Sequence, residues 1–285
     1  MQGRIHCIIS NRYTVRLDDG REVVCVAMGK LRLGQSPIVG DIVEVCQYDD
    51  QHGIESMAPR RNMLIRPLIA NVDQALIVMS AANPEFSTTL VDRLIFLIAH
   101  QNIEPVLCIT KTDLADPVQL QGWVDEYKKS GYRVIESTKK HKNGELEELF
   151  ANKITVLTGQ SGVGKSSLLN LMDASFEIKT QEISKALGRG KHTTRHVELM
   201  PVKGGWVADT PGFSSLDFSQ ITKAELETSV PDFKEWRSKC KFTDCLHDKE
   251  PHCAVKQGVA DTVISAVRYE HYMECLALCK GKDVY

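Results

Sequence analysis

The sequence predicts a mixed α/β protein in three parts: an all-β barrel at the N-terminus, a parallel α/β domain, and a largely helical C-terminal segment. Three observations carry that expectation. Short runs of alternating apolar and polar residues fill the first 66 positions, continuous apolar runs alternate with helical stretches beyond Asn71, and a Cys/His cluster lies near the end. The expected boundaries are residues 1–66, 67–222 and 223–285. A chain of 285 residues has room for two or three domains, since one usually takes roughly 100–200 residues.

Composition narrows the class. A hydrophobic fraction of 42%, with 25% charged and 6% aromatic residues, is that of a globular protein and excludes disordered, collagen-like and coiled-coil chains. No stretch approaches the roughly 20 apolar residues that cross a bilayer, and Met1 to His6 lacks the layout of a signal peptide, so a cytoplasmic protein with no membrane partner is expected. The formal net charge of -2 argues against coating nucleic acid by bulk charge. The 9 cysteines are odd in number and irregularly spaced, so reduced thiols or a metal site are expected in place of a disulfide framework.

The first part reads as short antiparallel strands. Ile5–Ile9, Tyr13–Leu17, Glu22–Val26 and Asp41–Val45 alternate in polarity and are separated by turn residues such as Asp18-Asp19-Gly20 and Gly34-Gln35-Ser36-Pro37. About five such strands make a small barrel, of the oligonucleotide-binding or the SH3-like type; strand counting does not separate the two.

The second part switches period. Apolar runs Ala75–Met79, Pro105–Ile109, Tyr132–Ile135 and Ile154–Leu157 alternate with helical stretches Leu90–His100, Trp123–Lys129 and Glu145–Phe150. Buried strands separated by helices mean a parallel sheet with crossover helices. A further helix is expected from Asp261 to about Cys279.

Within that domain Gly159-Gln160-Ser161-Gly162-Val163-Gly164-Lys165-Ser166 matches G-x-x-x-x-G-K-[ST] between a strand and the apolar run Leu168–Met172. This is a phosphate loop: glycines let backbone N–H groups approach phosphate oxygens, the helix N-terminus adds positive potential, Lys165 reaches the terminal phosphates, and Ser166 ligates Mg²⁺. Ser167 completes the candidate set there.

Base choice is read from Thr110-Lys111-Thr112-Asp113, which follows a strand at its carboxyl edge. Asp113 can accept both guanine N1–H and N2–H, a donor pair adenine lacks. The segment resembles the N-K-x-D motif of GTPases with Thr110 in the Asn position, where its hydroxyl can still hold a neighbouring loop. Ser137-Thr138 resembles the loop that supports the guanine carbonyl.

Asp209-Thr210-Pro211-Gly212 resembles the D-x-x-G switch, with Asp209 holding Mg²⁺ through water and the Gly212 N–H sensing the γ-phosphate. Ahead of it, Gly188 to Arg195 is glycine-rich and basic, and residues 179–203 carry six Lys and Arg against two Glu. Thr193 or Thr194 would supply the second Mg²⁺ ligand. Phe213 stands where many GTPases carry a water-orienting glutamine, which leaves His192 as the nearest group for that task; the catalytic set is therefore His192, Lys165 and Thr194.

Cys240-x₄-Cys245-x-His247-x₅-Cys253 gathers three thiolates and an imidazole within fourteen positions. That set suits one closed, structural Zn²⁺ site with no open catalytic position. Cys275 and Cys279, four apart on a helix, are possible rival ligands and are read as core or surface thiols.

In small GTPases the phosphate loop precedes the guanine motif; here the order is reversed. That order, the preceding barrel, the G-x-G-K-H-T-T loop and the Cys/His cluster together closely resemble the ribosome small-subunit-dependent GTPases of bacteria. The resemblance covers essentially the whole chain. It implies a circularly permuted P-loop GTPase domain, an N-terminal OB-like barrel, and GTP/GDP with Mg²⁺ as ligands. It further implies the small (30S) ribosomal subunit and its rRNA as partner, and stimulated hydrolysis in late subunit maturation. A monomer is expected. Phe213 favours a different reading, a nucleotide-dependent RNA-binding assembly module in which hydrolysis is incidental.

Overall fold

Alternation in the first residues closes a five-stranded barrel. In the computed structural model, which describes residues 1–28, 31, 35–49, 51–65, 67–138, 144–173, 197–209 and 216–281, its strands are β1 (Gln2–Ile9), β2 (Arg12–Leu17), β3 (Glu22–Ala27), β4 (Ile42–Tyr48) and β5 (Gln51–Met57). They pair in the order β1-β2-β3-β5-β4. β1 is antiparallel to both β2 and β4, while β3 runs parallel to β5. A closed five-stranded barrel with that parallel crossover is OB-like, which settles the choice that strand counting leaves open. Every second residue points inward, so Ile5, Val15, Cys25, Val43, Val45 and Ile54 form a dry interior.

The chain forms two compact units. The first comprises Met1–Gln74, Lys142–Thr158 and Ser166–Gly212; the second comprises Ala75–His141, Gly159–Lys165 and Phe213–Tyr285.

In the first unit the barrel is followed by the antiparallel pair β6 (Met63–Ile65) and β7 (Leu68–Ala70). Asp41 is fully buried and held by the Arg60 guanidinium at 2.7 and 2.8 Å, while Ile38 N–H donates to it at 2.8 Å. Further along come helix α3 (Gly144–Phe150), β11 (Ile154–Thr158), most of α4 (Lys165–Met172), β12 (Met200–Val202) and β13 (Gly205–Asp209). β11 and β13 are parallel, with Leu157 opposite Asp209, and β12 runs antiparallel to β13. The segment entering β12 is tied to the barrel: Leu199 N–H donates to the His6 carbonyl at 2.8 Å, and the His6 ring stacks on Trp206 at 5.3 Å.

The second unit contains β8 (Gln74–Ser80), β9 (Glu104–Thr110) and β10 (Arg133–Ser137), adjacent in the order β10-β9-β8. Helix α1 (Thr88–His100) starts where the Ser87 side chain accepts Leu90 N–H, and it buries Val91, Leu94, Ile95, Phe96 and Ile98. Helix α2 (Pro117–Lys129) is capped by Asp116 with Pro117 at its first position, where a missing N–H costs nothing. Both helices extend a few residues N-terminal to the apolar pattern, because caps and not hydrophobic residues set where they begin.

The C-terminal part of this unit departs from expectation. The helix expected from Asp261 to about Cys279 is present but starts five residues later, as α7 (Ala266–Leu278), and two seven-residue helices that the periodicity did not indicate precede it, α5 (Lys223–Ser229) and α6 (Ala254–Ala260). Thr262 takes a left-handed φ of 58° and ends the run, and the Ser265 side chain then accepts Arg268 N–H to open a new helix. The cap residue outweighs the continuous apolar spacing.

A buried arginine binds α7 to the rest of the unit. Arg268 donates to Asp92 at 3.1 Å and Asp232 at 2.5 Å, and its guanidinium lies over the Tyr127 and Tyr132 rings at 4.7 and 4.9 Å. Burial works against its charge, but the two carboxylates overcome burial and hold its pKa above the ordinary value. His271 adds a 2.6 Å contact to Asp92. Among the described residues no helix is long and apolar enough to cross a membrane.

Removing one partner of a buried ion pair strands the other charge. Arg60→Ala is expected to lower stability by about 3–5 kcal/mol, read as a shifted denaturation midpoint at constant slope. A loss under about 1 kcal/mol would mean that water already solvates the pair.

Candidate functional site

Two sequence-predicted clusters are assembled within the second unit. The first lies at the carboxyl ends of its strands. Ser137 pairs with Thr110 in parallel register, so the segments following β9 and β10, with Thr110–Asp113 and Ser137–Thr138, leave one edge together. Ligands of open α/β sheets bind at that edge.

The loop Gly159–Lys165 packs against the same edge. Gly159 has a φ of 136°, and a Cβ there would lie 2.0 Å from the Val78 carbonyl oxygen, so only glycine lets the loop pass. Thr110 secures the loop from the other side. Its buried hydroxyl is within hydrogen-bond distance of the Val163 and Met79 carbonyls, at 2.5 and 3.2 Å, and with one proton it donates to one at a time. Lys111, at a left-handed φ of 55°, reaches back to donate to the Gly162 carbonyl at 2.9 Å and to that of Asn83. These contacts tie the guanine-type segment to the phosphate-type loop.

The remaining side chains suit a ligand. Lys165 donates to the Gly159 and Gln160 carbonyls at 2.8 Å each, folded across its own loop, where phosphate oxygens could replace those carbonyls. Gln160, Ser161, Ser166 and Ser167 are exposed, and Asp113 stands exposed in the 3₁₀ turn Thr112–Leu114. A loop with backbone donors, glycine at the close approach and a lysine at its end fits the phosphates of a nucleotide.

His192, Thr193, Thr194 and the rest of Gly188–Arg195 lie outside the described residues, as do Thr210–Phe213, and with them Gly212. Of Asp209 the backbone alone is described, at the end of β13 beside Leu157.

The second cluster is the Cys/His set. Ligand atoms of Cys240, Cys245, His247 and Cys253 all lie within 4.8 Å of one another. His247 Nδ1 is 3.7 Å from Cys240 Sγ and 3.3 Å from Cys253 Sγ, and the two sulfurs are 3.9 Å apart. Tetrahedral Zn²⁺, with Zn–S of about 2.3 Å and Zn–N of about 2.0 Å, places two sulfurs about 3.8 Å apart and sulfur and nitrogen about 3.5 Å apart, so these separations come within a few tenths of an ångström of what that ion needs and the donor set suits it. Burial pushes the Cys245 thiol up to about 12, and a bound metal ion would act in the opposite sense by favouring the thiolate. Cys275 and Cys279 stay out of this cluster. Cys275 is fully buried and Cys279 donates to its carbonyl at 3.3 Å. Cys7, Cys25 and Cys108 are buried, as their strand positions predict, whereas Cys46 is half-buried and donates to the Gly53 carbonyl.

The knuckle is held from outside by groups that the sequence pattern does not reveal. Glu250 accepts from Leu246 and Asp248 N–H at 2.8 and 2.9 Å, and Tyr269 and Tyr272 donate to the His247 and Leu246 carbonyls. Glu227, from α5, meets His247 Nε2 at 3.0 Å. Helix α5 is not among the elements expected from sequence; its signal is the motif Thr222-x-x-Glu225, which forms a capping box. Nothing in the sequence signals its pairing with a histidine twenty residues on. Of the nearby cations, Lys239 lies over Trp236 at 4.6 Å and Lys241 over Phe242 at 5.5 Å.

Comparison with known proteins agrees with this geometry. Residues 57–219 match the family model described as RsgA GTPase. The chain is 48% identical over 282 residues to the Small ribosomal subunit biogenesis GTPase RsgA 2 of Oceanobacillus iheyensis, covering 96% of each protein. It is 44% identical to the Small ribosomal subunit biogenesis GTPase RsgA of Bacillus subtilis, over 99% of this chain and 98% of that one. Among solved structures it resembles YloQ, described as a circularly permuted GTPase, with a TM-score of 0.84, 39% identity, and coverage of 97% of this chain and 93% of that one. YjeQ from Thermotoga maritima gives 0.83 and 34%, covering 99% of both.

The Thr110 contact can be isolated by an isosteric change. Thr110→Val leaves the Val163 carbonyl without its side-chain donor and is expected to cost about 1–3 kcal/mol in chemical denaturation, while Thr110→Ser retains most of that stability. Equal stability of the valine and serine variants would show that the hydroxyl does not brace the loop.

Proposed function

The chain belongs to the RsgA GTPase family and hydrolyses GTP, and on that premise we propose that it serves small ribosomal subunit maturation in the cytoplasm, binding rRNA and hydrolysing GTP to GDP and phosphate under stimulation by the 30S subunit. The observation that carries the nucleotide reading is the bracing of the Gly159–Lys165 loop against the Thr110–Asp113 segment through Thr110 and Lys111. A base held by Asp113 and phosphates held by the loop are thereby referred to one strand edge.

Each residue has a physical task in this reading. Asp113 accepts the two guanine donors, Lys111 and Thr112 shape that turn, and the Ser137-Thr138 backbone supports the guanine carbonyl. The N–H groups of Gln160 to Ser167 and the Lys165 ammonium neutralise the phosphates. Mg²⁺, held by Ser166, by Thr193 or Thr194 and through water by Asp209, would supply charge neutralisation at the β- and γ-oxygens. Gly212 N–H senses the γ-phosphate, and His192 orients or deprotonates the attacking water. Cys240, Cys245, His247 and Cys253 hold one structural Zn²⁺, with all positions filled by protein.

The division into barrel (1–66), permuted GTPase (67–222) and zinc-bearing segment (223–285) assigns nucleotide chemistry to the middle part and partner contact to the flanking parts together with the basic run of the middle one. Contact with RNA then rests on local surfaces, including the basic run of residues 179–203, because the net charge of -2 supplies no bulk attraction. The chain is taken to act as a monomer.

Hydrolysis is expected to be slow for the protein alone and faster with purified small subunits. Equal rates with and without subunits would favour the assembly-module reading, in which hydrolysis is incidental. His192→Ala should lower the stimulated rate about 10²–10⁴-fold with GTP binding intact; an unchanged single-turnover rate would remove His192 from the chemistry.

Asp113→Asn exchanges an acceptor for a donor at the base edge. It is expected to shift preference from guanine to xanthine nucleotides in a competition assay. Undiminished GTP affinity in that variant would separate Asp113 from base recognition.

A further inference from the structure

Glu227 is an acidic side chain buried at the C-terminal end of α5, twenty residues from His247 in sequence, yet its Oε1 lies 3.0 Å from His247 Nε2. The opposite ring nitrogen, Nδ1, is the one that faces the Cys240 and Cys253 sulfurs. An imidazole that gives Nδ1 to a metal must carry its proton on Nε2, and that proton needs an acceptor in a site closed to water. Glu227 is that acceptor. In the other tautomer the Nε2 lone pair would face a carboxylate and the Nδ1 proton would face the thiolates, so the buried charge selects the ligating form.

Glu227 is itself held in place. Arg237 Nε lies 3.3 Å from its Oε1, and the same guanidinium donates to the backbone carbonyls of Glu227, Thr228 and Val230 at 3.2, 2.8 and 2.9 Å. Those carbonyls end α5, where an arginine satisfies groups the helix leaves unpaired. The edge-on Phe233 ring lies 5.2 Å from the imidazole, and the Tyr269 hydroxyl anchors the backbone beneath it by donating to the His247 carbonyl.

We propose that Glu227 is a positioning residue of the Cys240–Cys245–His247–Cys253 centre: it orients the His247 ring and fixes its tautomer, and with Arg237 it couples the metal centre to the end of α5. The proposal rests on the zinc reading of that centre. It adds a fifth residue, which never touches the ion, and it makes helix α5 part of the metal site.

The test is zinc affinity of the full-length chain, measured by competition with a chromophoric zinc chelator, for the wild type, Glu227→Ala, Glu227→Gln and Arg237→Ala. Removal of the acceptor is expected to weaken zinc binding about 10–100-fold in Glu227→Ala. Glu227→Gln, whose amide oxygen still accepts the Nε2 proton, should recover part of that loss. Arg237→Ala should fall between the wild type and Glu227→Ala, since the carboxylate remains but loses its anchor. The Co²⁺-substituted protein gives a second readout, because a reoriented imidazole alters the visible absorption of the bound ion. Zinc affinity in Glu227→Ala equal to wild type, with thermal stability reduced, would assign Glu227 a purely structural role and overturn the proposal. A wild-type chain that binds no zinc would overturn the metal reading and the proposal together.

Discussion

At Gly159 the backbone passes so close to the Val78 carbonyl that a single methyl group could not be accommodated. The candidate nucleotide site depends on that constraint. The approach seats the phosphate-type loop on the strand edge, where the Thr110 hydroxyl and the Lys111 ammonium can reach its Val163 and Gly162 carbonyls. A loop standing one side chain further out would lose both. Within the guanine-type segment Asp113 remains exposed while its neighbours Thr110 and Lys111 brace the loop.

The permuted order places this joint between segments fifty residues apart, with the guanine-type segment first. Reversal of motif order is compatible with the site because the required neighbours are spatial. What matters is which strand ends share an edge, and the Ser137–Thr110 register with the packing of Gly159 on β8 supplies that. A permutation changes connections in loops, where the cost of rerouting grows only slowly with length.

Elsewhere the fold relies on buried charge held in pairs. Arg60 with Asp41, and Arg268 with Asp92 and Asp232, each remove ions from water and compensate them by geometry. The Cys/His centre follows the same rule, since Glu227 and Arg237 form an outer pair behind its histidine. Such groups define position more sharply than apolar contacts do, because a displaced ion is left unpaired whereas a displaced leucine finds new neighbours. The C-terminal segment takes part in two of these three sets.

Much of this was legible in sequence because it is local. Strand alternation predicted the barrel interior, the G-x-x-x-x-G-K-S run predicted a loop between β11 and α4, and the Cys/His spacing predicted a cluster that the fold brings within ligand distance. The helix expected from Asp261 to about Cys279 shows where local reasoning stopped: the helix is there, but a left-handed Thr262 and the Ser265 cap delay its start to Ala266. Sequence by itself determined residue chemistry and short-range periodicity, and with them the candidates for a phosphate loop, a guanine-type segment and a metal donor set. Tertiary structure alone decided the OB-like strand order, the hold of Thr110 on Val163, the seat of Arg268 between two tyrosines, and the meeting of Glu227 with His247. Those are contacts between residues distant along the chain, selected by the packing of whole elements, and a pattern within any one window carries no record of them.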